Sequence, residues 1–272
     1  MKLKNKKFII TSLTIIALLA ITVIQIEKNS GNQEETRLTS SQGLSNKKIG
    51  WGIKRNDNLE QPDLGKVNKE ILEKNNGIAM GNNNDKYIYL TFDEGYEAGH
   101  TTQILSTLKE NNVKATFFIT AHYLNTQPDL VKQMIEEGHI VGNHTVNHKS
   151  MPSLTEEQIN SEVMDLHKTI YEKFGYEMKY IRPPMGEFSE KSITVTNSLG
   201  YKTVMWSFAY EDWNENKQPE ESTAKKKIID NVHNGEIMLL HGNSTTNTNI
   251  LGDIIKEIRN MGYEFKSLDE FK

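Results

Sequence analysis

KYIYLTFDEGYEAGHTTQILSTLKENNVKATFFIT, residues 86–120, is the stretch that decides the fold. Its first apolar run, YIYLTF (87–92), is short and strand-like. Ile104, Leu105 and Leu108 then recur at helical spacing, and a second strand-like run, KATFFIT (114–120), follows. Strand, amphipathic helix and strand in that order make a βα unit with parallel strands. Moving outward, strand-like runs return at HIVGNH (139–144), KYIRP (179–183), KTVMWS (202–207), EIMLLH (236–241) and YEFKSL (263–268). Helical spacing returns at Leu130, Met134 and Ile135, at Ile159, Val163, Leu166 and Ile170, and at Ile250, Ile254, Ile255 and Ile258. Gly138, Gly175, Gly200, Gly235 and Gly262 fall where a helix should stop and the next strand begin. About seven βα units predict an α/β fold with helices outside a parallel sheet, and a distorted or incomplete (β/α) barrel fits better than an open sheet.

Barrels of this kind gather their chemistry at the C-terminal ends of the strands. Asp93 and Glu94 end the first strand, and His144 and His148 follow the third. Arg182 ends the fourth, Asp212 and Trp213 follow the fifth, and His241 ends the sixth. His144 and His148, four residues apart, can turn both rings to one side and hold a divalent metal, or they can be surface histidines. Adjacent residues on a regular strand point to opposite faces, so Asp93 and Glu94 form a glycosidase-like carboxylate pair only if the strand breaks there; otherwise they suit a salt-bridged rim. His241, after an apolar run, is either a satisfied core histidine or, from its place at the strand end, a catalytic acid.

Composition narrows the classes. With 32 Lys+Arg against 36 Asp+Glu the formal charge is −4, so no global basic field drives nucleic-acid binding. The absence of cysteine removes disulfides, a thiol nucleophile and Cys-based zinc sites. G-x-S-x-G, a Gly-rich phosphate loop ending in Lys, and H-E-x-x-H are also missing. Metal-assisted hydrolysis, with Asp as base and His as acid, remains.

The N-terminus has its own pattern. Behind Lys2, Lys4, Lys6 and Lys7 runs an uncharged stretch, FIITSLTIIALLAITVIQ (8–25), of membrane-spanning length. Residues 1–26 read as a membrane anchor or a cleaved signal segment, with everything beyond translocated. Residues 27–50 read as a polar linker, 51–85 as a lead-in packing on the domain, and 86–272 as the domain itself.

TFDE (91–94), HTVNH (144–148), RPPMG (182–186), DW (212–213) and LLH (239–241) stand in the order of the five motifs of polysaccharide deacetylases. From Lys86 onward the chain therefore resembles the NodB-homology domain of carbohydrate esterase family four. TFDEGYEAGH, GHIVGNHTVNH, RPPMGEFSE, WSFAYEDW and WGIKR...PDLGK are most similar to the branch that deacetylates N-acetylmuramic acid on the way to muramic δ-lactam in spore cortex, and they extend the likeness back to Trp51.

The resemblance implies the following roles. Asp93 would be the general base, oriented by Arg182, and His241 the general acid, tuned by Asp212. His144 and His148 would hold a divalent metal: zinc, or another such as cobalt, manganese or magnesium. Trp213 and Leu239 would wall the acetyl pocket, and the oxyanion would lie between the metal and the backbone N–H of Met185. Two residues depart from the family pattern: Glu94 stands where most members have the Asp that completes the metal site, and Met185 where many have an aromatic residue. Glu94, one methylene longer, would reach the metal directly, through water, or not at all. The implied partner is the peptidoglycan glycan strand, after an amidase has removed the stem peptide, met by an outward-facing, membrane-tethered enzyme. The alternatives are a deacetylase of N-acetylglucosamine or another acetylated polysaccharide, and a non-catalytic wall-binding domain.

Overall fold

The computed structural model describes residues 43–56 and 58–271; the expected anchor or signal segment, residues 1–26, lies outside them. In chain order the elements are β1 (Ile49–Gly50), α1 (Lys66–Lys74), β2 (Tyr87–Glu94), α2 (Thr101–Glu110), β3 (Thr116–Ile119), α3 (Ala121–Thr126), α4 (Pro128–Glu136), β4 (Ile140–Asn143), α5 (Glu156–Phe174), β5 (Tyr180–Ile181), β6 (Glu187–Phe188), α6 (Glu190–Ser198), β7 (Lys202–Thr203), α7 (Glu221–Ile229), β8 (Glu236–His241), α8 (Thr245–Asn260) and β9 (Glu264–Phe265).

All pairings in the main sheet are parallel, in the order β7-β5-β4-β3-β2-β8, with β9 beside the start of β2. The edges then meet. Beyond β7 the chain reaches Phe208, which bridges Met238 of β8 in parallel, and the Leu239 N–H donates to the Phe208 carbonyl at 2.9 Å. Lower down, Ile78 and Met80 fill the seam, bridging Val204 and Glu236. The sheet is thus a distorted, incompletely regular barrel, and the lead-in supplies part of its wall.

Strand alternation assigns every side chain to one of two layers. Ile88, Leu90 and Phe92 of β2 join Ile104, Leu105, Ile254 and Ile255 in the helix-facing core, whereas Tyr89 packs with Phe118, Ile140, Tyr180, Val204 and Ile237 inside the barrel. The interior is therefore a packed apolar plug, and chemistry is confined to what stands above it. Gly142 of β4 lies against the Phe118 ring, in a place where a Cβ would collide with it. The long helix α5 begins with a Thr155–Gln158 capping box and ends at Gly175 in the left-handed conformation, φ 64°.

The linker boundary expected at residue 50 needs correcting. Lys191 N–H donates to Ser45 O at 3.1 Å, Asn46 Nδ2 to Pro152 O at 2.9 Å, and β1 pairs with β6. Backbone pairing at Ser45, Ile49 and Gly50, with the Asn46 side chain, ties residues 45–50 to the domain, which a polar composition alone does not reveal. Trp51, Leu64, Leu72 and Ala79 continue the packing around Phe188 and Met205.

Candidate active site

Asp93 projects from β2 on the same face as Tyr89 and Thr91, above the plug. Arg182, fully buried just past β5, donates from Nη1 to Asp93 Oδ1 at 2.8 Å. The guanidinium lies 4.3 Å from the centre of the Phe118 ring and bonds the Val204 carbonyl at 3.2 Å, so its position is fixed from below and from the side. Burial alone would raise the pKa of Asp93, but Arg182, with His144 and His241, outweighs it and holds the carboxyl below its ordinary range. Asp93 is therefore an ionised proton acceptor.

His144 follows β4, and its Nδ1 lies 2.8 Å from the Arg182 carbonyl. A carbonyl only accepts, so Nδ1 carries the hydrogen and Nε2 presents its lone pair. Nε2 of His148 stands 3.1 Å from Nε2 of His144, and Asp93 Oδ2 is 3.5 Å from the latter. Burial lowers both histidines, His144 to about 4, so both rings are neutral at pH 7. Two neutral imidazole nitrogens at this separation suit one divalent ion, since two Zn–N bonds at a tetrahedral angle place the nitrogens about 3.3 Å apart. The residues present thus fit a metal held by His144 and His148 beside Asp93.

Glu94 does not join them. β2 stays regular through Glu94, which pairs with Ile119, so alternation turns its side chain to the helix-facing layer. It is 1% exposed, neither carboxyl oxygen has a hydrogen-bond partner among the described residues, and Gly242 presses against it. Burial, aided by Glu97 and Asp93, pushes its pKa well above the ordinary range and favours the neutral form of Glu94. Among the described residues no three His, Asp or Glu side chains form a ready ligand set. Glu94 as third metal ligand is the expectation the structure corrects, and the physical reason is the unbroken period of two.

On the opposite side of Asp93, His241 ends β8. Its Nδ1 is 2.7 Å from Asp212 Oδ1, and its backbone N–H donates to Asp212 Oδ2 at 3.0 Å. Burial works against a charged imidazole here, but the Asp212 carboxylate reverses the effect and raises the His241 pKa. A proton is thereby kept available on a ring whose Nε2 edge is free of Asp212. Sequence reasoning missed the outer support of this pair: Asn247 Nδ2 donates to Asp212 Oδ2 at 2.5 Å, and the Tyr210 hydroxyl bonds Asn247 Oδ1. Asn247 lies in the first turn of α8, shortly after LLH but 35 residues from Asp212, and only that place after the motif hinted at it.

One cavity of about 890 Å³ contains Asp93, His144, His148 and His241, with Leu239, Met185 and Trp213 on its walls. Leu239 is buried, while Met185 and Trp213 are half exposed at the rim, and Trp213 packs 5.4 Å from the His241 ring. Met185, in the left-handed backbone conformation at φ 58°, lines the cavity. Tyr96 and Asn243 were also missed: Asn243 Nδ2 donates to the Tyr96 hydroxyl at 2.8 Å and to the Trp213 carbonyl at 2.9 Å, tying two rim loops together.

A paired base, a paired acid and two converging imidazoles above a plugged (β/α) barrel define a hydrolase that splits acyl bonds with an activated water. The chain belongs to the polysaccharide deacetylase family, whose profile matches residues 80–204. It is 41% identical over 231 residues to PdaA, a peptidoglycan-N-acetylmuramic acid deacetylase of Bacillus subtilis, a match covering 85% of this chain and 88% of that protein. The solved structure of B. subtilis PdaA, a family 4 carbohydrate esterase, superposes with a TM-score of 0.81 over 84% of this chain and 98% of that one. A peptidoglycan-N-acetylglucosamine deacetylase of Bacillus cereus is 34% identical over 191 residues, covering 69% of this chain and 89% of that protein.

Proposed function

We propose that this chain removes the N-acetyl group from N-acetylmuramic acid in peptidoglycan, leaving an amine that closes on the lactyl carboxyl of the same sugar to give muramic δ-lactam. The observation that carries the reading is the placement of Asp93 and His241, each fixed by its own charged partner, on one cavity. The muramic assignment is supported by the greater likeness to the muramic acid deacetylase, which also extends over more of the chain.

An amide is a poor electrophile with a poor leaving group, so base and acid are both required. Asp93, ionised by Arg182, takes a proton from the attacking water. His241, charged through Asp212, gives its proton to the departing nitrogen, and Leu239 and Trp213 enclose the acetyl methyl. Divalent-metal use is general in this family; held by His144 and His148, such an ion would supply Lewis-acid polarisation of the acetyl carbonyl. Lactam closure requires a free lactyl carboxyl, so an amidase that strips the stem peptide acts before the ring forms. The lysine-flanked apolar stretch at residues 8–25 supports an extracytoplasmic, membrane-tethered location, although no helix among the described residues is long and apolar enough to cross a membrane.

The test is incubation of the full chain with glycan strands stripped of stem peptides, followed by mass spectrometry of the separated sugars. Loss of acetyl at muramic residues is expected. Loss confined to glucosamine residues would overturn the muramic assignment, and loss at neither would leave a wall-binding role.

A further inference from the structure

His148 reaches His144 across a loop with unusual backbone. Thr145 has φ 70° and His148 φ 53°, and a left-handed β-branched residue such as Thr145 is rare because its Cβ crowds the backbone. Such strain persists only where the surroundings over-determine it. Within the loop, Thr145 N–H donates to Asn143 Oδ1 at 2.8 Å and His148 N–H to Thr145 Oγ1 at 3.1 Å. These bonds shape the loop locally without fixing its outer half to the barrel.

The outer half is held by one side chain on α5. Glu162 Oε2 accepts the Asn147 backbone N–H at 2.7 Å, and Oε1 accepts Asn147 Nδ2 at 2.8 Å. The Glu162 carbonyl also accepts the Val146 N–H at 3.0 Å, and Lys149 Nζ stands 3.3 Å from Oε1. Glu162 is 5% exposed and does not line the catalytic cavity. A buried carboxylate is costly unless donors converge on it, and here three do, all from residues 147–149. Its bonds go to the loop, whose Val146, Asn147 and His148 line the cavity in its place.

We propose that Glu162 is the positioning residue of the metal-binding loop: by clamping Asn147 through both backbone and side chain, it holds residues 145–148 in the path, left-handed at Thr145 and at His148, that brings the His148 Nε2 to that of His144. The inference rests on the two-histidine metal reading and is independent of which sugar is the substrate.

The test uses the full chain with Zn²⁺ or Co²⁺ alone, titrated by calorimetry, and amide hydrogen exchange of residues 145–148. Glu162→Ala is expected to weaken metal affinity about 10- to 100-fold, the range for losing a residue that orients a ligand, and to speed exchange in the loop at a temperature where the rest of the fold stays protected. Glu162→Gln should restore most of the affinity, because an Asn147 side-chain flip lets the two amides pair. Asn147→Ala removes the side-chain half of the clamp with α5 untouched and keeps the backbone N–H bond to Glu162, so it should give a smaller loss in the same direction if Glu162→Ala folds poorly. A lowered Tm with unchanged metal affinity and unchanged loop exchange in the folded variants would overturn the proposal. If the wild-type chain takes up neither ion, the metal reading fails, while the exchange measurement still decides the clamp.

Discussion

Asp212 grips His241 at two points, Oδ1 against the ring Nδ1 at 2.7 Å and Oδ2 against the backbone N–H at 3.0 Å. The second bond fixes where the strand end lies relative to Asp212, and the first fixes the ring and stabilises its charged form. Orientation and proton affinity of the acid therefore come from one carboxylate.

Asp212→Asn separates the two effects. The Asn can still accept the backbone N–H, but it no longer stabilises the imidazolium. The charged acid should then be lost at lower pH, so the high-pH limb of kcat/KM moves down, and kcat falls by about 10²- to 10⁴-fold, the usual worth of a positioned acid. A pH profile of acetate release checks this; an unmoved limb would remove His241 as the acid that sets it.

Asp93→Asn tests the base. Arg182 is buried against Phe118 and keeps its Val204 and Met205 carbonyl bonds, and an Asn oxygen can replace Asp93 Oδ1 as acceptor, so the barrel should stay folded. Acetate release should fall by about 10²- to 10⁴-fold or more. Arg182→Ala is the harsher change, because it leaves the Asp93 carboxylate buried without its partner, at a cost of about 3–5 kcal/mol. Chemical denaturation of the two variants separates loss of chemistry from loss of fold.

What could be seen in the sequence followed from periodicity. A period of two in YIYLTFDE places Asp93 with Tyr89 inside the barrel and Glu94 with Phe92 outside it, and the same alternation separates the two carboxylates. The likeness to a family whose members complete the metal site from this position points Glu94 toward the metal, whereas the unbroken strand register turns it away. The chain order of Asp93, His144, His148, Arg182, Asp212 and His241 along the strand ends likewise placed all six at one end of the barrel. The supports could not be read. Asn247, Tyr210, Glu162 and Asn243 act through hydrogen bonds between elements distant in sequence, and single polar residues on helices and loops carry no period. The docking of residues 45–50 escaped for the same reason, since two strand residues and a few side-chain bonds leave no hydrophobic pattern.

Glu94 gives a coupled test. As a neutral buried acid on the helix-facing layer, it should tolerate Glu94→Gln with metal affinity unchanged; a clear loss of affinity would return it to the ligand set. A Cβ at Gly242 would fall on the Glu94 carboxyl, so Gly242→Ala should destabilise the protein by about 1–3 kcal/mol, as overpacking does. In a Glu94→Ala background the same change should cost less, and thermal denaturation of the four proteins gives the coupling. Additive effects would mean that the two groups do not meet.

His139 sets an acid limit on stability that is separate from catalysis. Its Nδ1 accepts the Ala115 N–H at 3.1 Å, its Nε2 is buried without a hydrogen-bond partner among the described residues, and Phe117 packs edge-on against the ring. Burial, with Lys114 adding repulsion and Glu137 opposing weakly, pushes its pKa down to about 4. The unfolded chain binds the proton near the ordinary value of about 6.5. Stability from the neutral ring is therefore complete above that value and drains away as pH falls toward 4, at no more than about 1.4 kcal/mol for each pH unit crossed. His144, also lowered to about 4, drains over the same window, so only part of the slope belongs to His139. His139→Asn keeps an acceptor for Ala115 N–H and has no proton to gain. Its Tm at neutral pH should be lower than that of the wild type, because the smaller side chain leaves space beside Phe117, but the fall in Tm between pH 6.5 and pH 4 should be shallower. Parallel Tm curves for the two proteins would show that His139 is protonated equally in the folded and unfolded states, and would reject the buried neutral ring.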